Sequence, residues 1–475
     1  MDYKPVKTFS ELAIKSLDDF VYGIAPHPVT AKNGMVIGGG TVYPEINFTL
    51  PPMTVNESTM PEVRRQYNEM IGGILERAKD LHAPGIIVEL ELLPPTTIEP
   101  KWGVEICKIL RDKMYEYEEK YGLKSLLRIT PNDTREIERP PFMRRGELLE
   151  SIFVTFEKCA EVGADILAIE TTGGKEVHDE ALVTCDIRKA IFALGVLGVR
   201  DMRFMWSRIV DIAKRTDSIP GGDTACGFGN TALALAEQSM IPRVFAAVDR
   251  VATVPRTLAC FEMGAVGPDK DCGYEGPYMK AITGAPIAME GKTAACAHLS
   301  ALGNIAACVC DVWSNESVQN VKLLSAPAPV AYMEQLIYDC RLLNEAAADG
   351  KEYALKMRDW LANSDSKLDP QAYILRPDVV LEISKELVKE ADAFVATKKA
   401  AALAVEALKK GAAAGELELP AKEKKWLDII GSQVDSIPDN WEELWYDLQK
   451  SLDLSKWRPE EYDLEVNAAK AVSAG

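Results

Sequence analysis

Three times between residues 61 and 170 an amphipathic helical stretch leads into a short β-rich run, and this alternation constrains the fold more than any other feature. Pro61 to Leu81 carries Val63, Tyr67, Met70, Ile71, Ile74 and Leu75 at helical spacing and precedes Gly85-Ile-Ile-Val-Glu-Leu90. Trp102 to Tyr121 precedes Leu123-Lys-Ser-Leu-Leu-Arg-Ile-Thr130, and Glu147 to Val162 precedes Asp165-Ile-Leu-Ala-Ile-Glu170. Strands that return after a crossover helix pair in parallel. Continued from about residue 60 to 340, the pattern predicts a TIM-type (β/α)8 barrel, with an open doubly wound α/β sheet as the alternative.

The later units are less regular. Helices are expected at Glu176 to Leu197 and Asp201 to Arg215, followed by glycine-rich segments around 221 to 229, 264 to 276 and 284 to 291. Beyond about residue 345 the β signal stops, and Pro377 to Lys410 reads as one helix with a proline near its start and Gly411 at its end. Residues 1–344 are therefore expected to form the barrel with an additional N-terminal segment. Residues 345–475 are expected to form a helical extension packed on the barrel or on a partner.

Composition narrows the function classes. The formal charge of -18, from 72 acidic and 54 basic residues, argues against a non-specific nucleic-acid or anionic-membrane surface. Lys4, Lys7, Glu11, Lys15, Asp18 and Asp19 interrupt any secretory core in the first thirty residues, and no stretch reaches the roughly 18 apolar residues of a membrane span. The expected compartment is the cytoplasm. Ten cysteines in a chain of this length are too sparse for a disulfide framework and point to free thiols or metal thiolates.

Three side chains with metal-ligand chemistry stand where short runs break into loops: Glu170, Cys226 in Gly-Gly-Asp-Thr-Ala-Cys-Gly-Phe-Gly, and Cys272 in Asp-Lys-Asp-Cys-Gly-Tyr-Glu-Gly. Taken singly, each has a bland reading, since strand-end cysteines are usually small buried hydrophobes and strand-end glutamates are often solvated. Position lifts the trio, because barrel strand ends converge on the face that carries active sites. One carboxylate and two thiolates would leave the fourth corner of a zinc tetrahedron open, as in catalytic sites. The other cysteines read as buried packing, including the ligand-like pair Cys308-Val-Cys310.

The runs Ile169-Glu-Thr-Thr-Gly-Gly-Lys-Glu176, Gly221-Gly-Asp-Thr-Ala-Cys-Gly-Phe-Gly-Asn-Thr-Ala232, Asp271-Cys-Gly-Tyr-Glu-Gly-Pro-Tyr278, Met289-Glu-Gly-Lys-Thr293 and Trp313-Ser-Asn-Glu-Ser-Val-Gln-Asn320 resemble those of the methanol–corrinoid protein co-methyltransferases. The resemblance spans most of the chain and is densest between about 165 and 345. It implies a barrel that holds one zinc ion on Glu170, Cys226 and Cys272, and an activity that moves the methyl group of methanol to the Co(I) corrinoid of a partner protein, in methanogenesis or acetogenesis. The corrinoid would sit on that carrier and not on this chain, and a homo- or hetero-oligomer is expected. Asp223, Asp271 and Glu275, close in sequence to the cysteines, are candidates for a further catalytic donor.

Other patterns fail on context. Gly227-Phe-Gly-Asn-Thr-Ala232 fits a dinucleotide fingerprint, but the run before it is too polar and too rich in Pro and Gly for a buried strand. Gly291-Lys-Thr293 imitates a P-loop with Pro286 where glycine is required. Asp80-Leu-His82-Ala-Pro-Gly85 has the form with which corrinoid carriers supply histidine to cobalt, but it follows a helix and leads into a strand, the reverse of the carrier order. Competing activities are a zinc-dependent thiol methyltransferase and a non-enzymatic docking scaffold for a corrinoid carrier.

Overall fold

The computed structural model describes residues 3–48, 53–297, 300–317 and 325–466. The chain opens with an antiparallel hairpin of β1 (Ile24–Thr30) and β2 (Val36–Gly39). Seven further strands are all parallel: β3 (Tyr43–Phe48), β4 (Ile86–Glu91), β5 (Ser125–Thr130), β6 (Ile166–Ala168), β7 (Ile219–Gly222), β8 (Ala288–Glu290) and β9 (Val312–Ser317). Their order is β7-β6-β5-β4-β3-β9-β8.

Residues 265–271 run between the edge strands β7 and β8 and take the eighth place. Val266 N–H donates to Pro220 O (2.9 Å) and Gly267 N–H to Gly221 O (2.8 Å) on one side. Glu290 N–H donates to Asp271 O (3.2 Å) on the other, and Ala288 N–H to the Asp269 carboxylate (2.9 Å). Pro268 has no N–H to give, and Gly267 turns through φ +86°, so this segment closes the sheet without forming a ladder.

The barrel interior is layered. At the N-terminal end Tyr43, Ile87, Leu126, Ile166, Ala288 and Val312 form an apolar floor, plugged from below by Ala31, Met35 and Ile37 of the hairpin region. Side chains alternate along a strand, so the next inward residues lie two positions on: Glu45, Glu89, Arg128, Glu290 and Ser314, all at most 1% exposed. Arg128 of β5 reaches past β4 to donate to Glu45 of β3 (2.8 Å), and Thr130 donates to Glu89 on the neighbouring strand β4 (2.6 Å). The middle of this barrel is thus polar and enclosed, and two positions further towards the strand C-termini Glu91 and Glu316 reach solvent.

The amphipathic helices form where periodicity places them, at Met60–Asp80, Pro100–Tyr121 and Glu147–Glu161. Two expected boundaries move. The region 176–215 breaks at Cys185, at φ 50°, where Asp186 caps a new helix by accepting the Arg188 N–H (3.0 Å); helix then continues without a gap from Ile187 to Thr216 through a π-type turn at Ala193–Gly198. Pro377 to Lys410 is two helices, Pro377–Leu387 and Ala393–Ala414, because Asp392 caps the second through Val395 N–H (3.0 Å). That helix runs past Gly411 and ends at Gly415, with φ 73°. The hairpin and β3 lie upstream of the region where the sequence pattern began.

Gly411 serves close packing instead of termination. A Cβ there would stand 2.3 Å from Cζ of Tyr373, and both residues are buried. Gly411→Ala should cost about 1–3 kcal/mol through overpacking, although alanine favours helix. An unchanged urea midpoint would show that Tyr373 moves aside freely.

Beyond residue 345 the chain folds back on the barrel helices. Helix Ala393–Ala414 packs on Arg243–Ala252 and Val254–Met263. Tyr278 donates to Ile374 O (2.6 Å), and Gly174 N–H donates to Tyr462 Oη (2.8 Å). No helix among the described residues is long and apolar enough to cross a membrane.

Candidate metal centre

Each of the three ligand loops leaves a barrel position at the C-terminal end of the sheet and enters a helix. Glu170 lies two residues beyond β6 and shortly before helix Lys175–Thr184. Cys226 opens a π-type turn, Cys226–Asn230, that continues into helix Thr231–Glu237. Cys272 directly follows the closing segment, ahead of helix Gly276–Thr283.

The fold brings all three together. A ligand atom from each of Glu170, Cys226 and Cys272 lies within 4.8 Å of the others. Glu170 Oε1 is 3.0 Å from Cys272 Sγ, and Thr224 Oγ1 is 3.1 Å from Cys226 Sγ. Both cysteines are 5% exposed, whereas 31% of the Glu170 side chain reaches solvent at the mouth. The structure joins Cys226 to Cys272 as a disulfide with Cα atoms 5.4 Å apart, where the sequence reading expected separate thiols. Sulfurs sharing one tetrahedral zinc at about 2.3 Å would be about 3.8 Å apart, so the same backbone placement suits either state, and only the reduced pair offers thiolates. The donor set, one carboxylate and two sulfurs on three loops, fits zinc.

Lys270 occupies the centre of this region and was not singled out by sequence. Its Nζ lies 2.8 Å from Asp271, 3.2 Å from Glu89, 3.3 Å from Glu170 and 3.9 Å from Cys272 Sγ, and the residue is 2% exposed. Burial alone would lower its pKa, but Asp271, Glu89 and Glu170 outweigh that and hold the ammonium well above its usual value. Asp271 is held below the usual carboxylate range because Lys270 overcomes its burial. Burial pushes Glu89, Glu290 and Asp269 well up, towards the neutral acid. Glu170 is pushed up to about 8, by enclosure on its protein side first, with Lys270 opposing and Glu91 and Asp271 adding to the rise.

The three expected donors are placed as follows. Asp223, fully buried, accepts Thr171 N–H (3.1 Å) and Thr171 Oγ1–H (2.8 Å), and Arg256 lies 3.5 Å from its other oxygen. Burial raises it to about 6 against the pull of Arg256. Glu275, also fully buried, accepts Ala225 N–H and Thr257 Oγ1–H, both at 2.6 Å. Asp271 is the ion-pair partner of Lys270. Asp223 therefore ties the Cys226 loop to the Glu170 loop, and Glu275 ties the Cys272 loop to the Cys226 loop. Asp133 adds a further tie by accepting Thr172 N–H and Oγ1–H, both at 2.9 Å. Gly273 makes the contact possible, since a Cβ there would stand 2.3 Å from Glu275 Oε2 and 2.5 Å from Thr224 Cβ.

The remaining patterns lie elsewhere. His82 sits between helix Met60–Asp80 and the start of β4, at the opposite end of the barrel from the metal candidates. Lys292 pairs with Asp339 (3.4 Å), and Thr293 donates to Gln335 (2.8 Å). Cys308 Sγ lies 3.3 Å from Arg358 O, and Cys310 Sγ 3.5 Å from Ala307 O. His298, the Cys296 side chain and residues 318–320 of the Trp313 run lie outside the described residues.

Residues 6–463 match the model of the MtaB family, described as methanol-cobalamin methyltransferase B subunit. The chain is 35% identical over 461 residues to a methanol–corrinoid protein co-methyltransferase of Methanosarcina barkeri (strain Fusaro / DSM 804), covering 96% of this chain and 99% of the relative. It also matches, with a TM-score of 0.91 and 35% identity, a chain in the crystal structure of the methanol:cobalamin methyltransferase complex MtaBC from Methanosarcina barkeri, covering 97% of this chain and 100% of that one. Agreement over so nearly the whole length, in sequence and in fold, makes this protein a member of the family of methanol-cobalamin methyltransferase B subunits.

Proposed function

We propose that this chain transfers the methyl group of methanol to the Co(I) corrinoid of a separate carrier protein, with one zinc ion held by Glu170, Cys226 and Cys272. The observation that carries the reading is the meeting of those three donors from three loops at the open end of the barrel, in a chain of this family. Zinc bound there would supply a Lewis acid for the alcohol oxygen, whose departure as hydroxide is otherwise opposed by the pKa of water, near 15.7. The methyl carbon exchanges its bond to oxygen for one to cobalt, whose electron pair forms that bond, and the oxygen leaves as water after taking a proton.

The chain's own residues prepare this step. Lys270 counters the negative charge of the carboxylate and thiolates, while burial pushes Glu89 and Glu290 beside it towards the neutral form. We assign Asp223 and Glu275 to holding the ligand loops in register, because one oxygen of each accepts two hydrogen bonds, Asp223 from Thr171 and Glu275 from Ala225 and Thr257. Of the three donors Glu170 is the one appreciably exposed among the described residues, so methanol and the corrinoid would enter from the strand C-termini. A carrier presenting a wide macrocycle there would bury at least about 1,000 Å² in a stable complex. We retain a division into a barrel of residues 1–344 and a helical extension of residues 345–475.

The test mixes the reduced, zinc-loaded protein with a Co(I) corrinoid carrier and methanol under anaerobic conditions and follows cobalt absorbance. Methylation with methanol is expected, together with about one zinc per chain. Methylation driven by a methylated thiol but not by methanol would favour the thiol methyltransferase. Carrier binding without stoichiometric zinc would favour a scaffold.

A further inference from the structure

We infer that the C-terminal extension completes the metal centre: Gln371 holds Arg250, and Arg250 fixes the spacing of the two cysteine loops. The inference rests on the metal reading above and concerns how the site is kept in shape. Arg250, on helix Arg243–Ala252, is fully buried. One terminal nitrogen donates to Gly273 O, next to Cys272, and the other lies 3.4 Å from Gly229 O, within the turn that begins at Cys226. A guanidinium is a rigid fork, so a single group that bonds one carbonyl in each loop sets the distance between them.

The fork is itself held from the extension. Gln371 Oε1 accepts from Arg250 Nη2 (2.9 Å) and Nε (3.3 Å), and Gln371 is 1% exposed. The Gln371 backbone is anchored in turn, since its N–H donates to Asp369 (2.7 Å), which caps the short helix Pro370–Tyr373. The Tyr274 ring faces the guanidinium with its centroid 5.2 Å away. Gly229 leaves room for this approach, since a Cβ there would stand 3.3 Å from Arg250 Nη1. Arg250 also places a positive charge behind the loops that carry two thiolates when reduced. Gln371 and Arg250 are positioning residues, acting on the ligands through the loop carbonyls.

The test measures zinc affinity of the reduced full-length protein by chelator competition, beside thermal unfolding of the metal-free form. Gln371→Leu, which removes the acceptor at similar volume, should weaken zinc binding about 10- to 100-fold. Arg250→Lys, which keeps the charge and loses the fork, should do the same. Gln371→Glu, which restores an acceptor for the guanidinium, should bind within about threefold of wild type. A purely structural role would lower the unfolding temperature and leave zinc affinity unchanged. Wild-type affinity in Gln371→Leu would therefore overturn the inference; were that variant unfolded without metal, wild-type affinity in Arg250→Lys would overturn it. Failure of the wild type itself to bind zinc would instead overturn the metal reading.

Discussion

Lys270→Met is expected to destabilise the metal-free protein by about 3–5 kcal/mol at pH 7, the cost of removing one partner from a buried ion pair. The partner left without its counter-charge is Asp271, 2.8 Å from Lys270 Nζ and held ionised by it, and the carboxyl groups of Glu89 and Glu170 also lie within 3.3 Å. The sign with pH follows from the wild-type charge states. Lys270 depresses the Asp271 pKa, so that pair contributes stability above the unfolded value of about 3.9, which is lost as pH falls through the folded value. Without the ammonium, burial raises these carboxyls and the variant must take up protons to fold. Its stability is then greatest where they are neutral, below about pH 5, and falls as pH rises. The gap between wild type and Lys270→Met should therefore widen from pH 5 to pH 8. Urea denaturation across that range checks it, and a gap below 1 kcal/mol or independent of pH would show that solvent reaches the cluster and screens it.

The same cluster shows where sequence reading stops. Periodicity located the helices around the first strands because each buries one stripe against a sheet, a local property. Glu170, Cys226 and Cys272, which the sequence singles out by their strand-end positions and by the family resemblance, do meet in the fold. Lys270 was not legible: a lysine between two aspartates has the composition of a solvated loop, and its burial follows from residues 265–271 closing the barrel. The charged middle layer left a fainter signal. Glu89 and Arg128 each interrupt an apolar run that is otherwise buried on both faces, and a charge there has to point at a counter-charge inside the barrel. Glu45, in Tyr-Pro-Glu-Ile-Asn-Phe, hid its strand altogether, because polar residues alternating with apolar ones resemble a surface segment. The roles of Asp223 and Glu275 depended on contacts 50 or so residues apart in the chain, which spacing does not encode.

Removal of a sulfur ligand should have the largest effect on activity. On the proposed reading, Cys226→Ala and Cys272→Ala should each lower the rate of cobalt methylation at least about 10³-fold, roughly 4 kcal/mol of barrier. The estimate follows from the leaving group: metal binding can bring the pKa of water from about 15.7 to about 7–9, a change of more than six units in the acidity of the departing oxygen. Zinc stoichiometry measured on the same samples should fall with the rate, since two remaining donors do not make a site. Glu170→Gln keeps the size and one oxygen of its side chain, so it should weaken zinc binding less than either alanine variant while still slowing transfer. Cys308→Ala provides the contrast: that thiol is buried against Arg358 O, away from the ligand loops, and its loss should cost stability but leave the rate per folded, zinc-loaded molecule unchanged. If Cys226→Ala kept both its zinc and its full rate, the three-donor centre would not be the site of the chemistry, however closely its side chains meet.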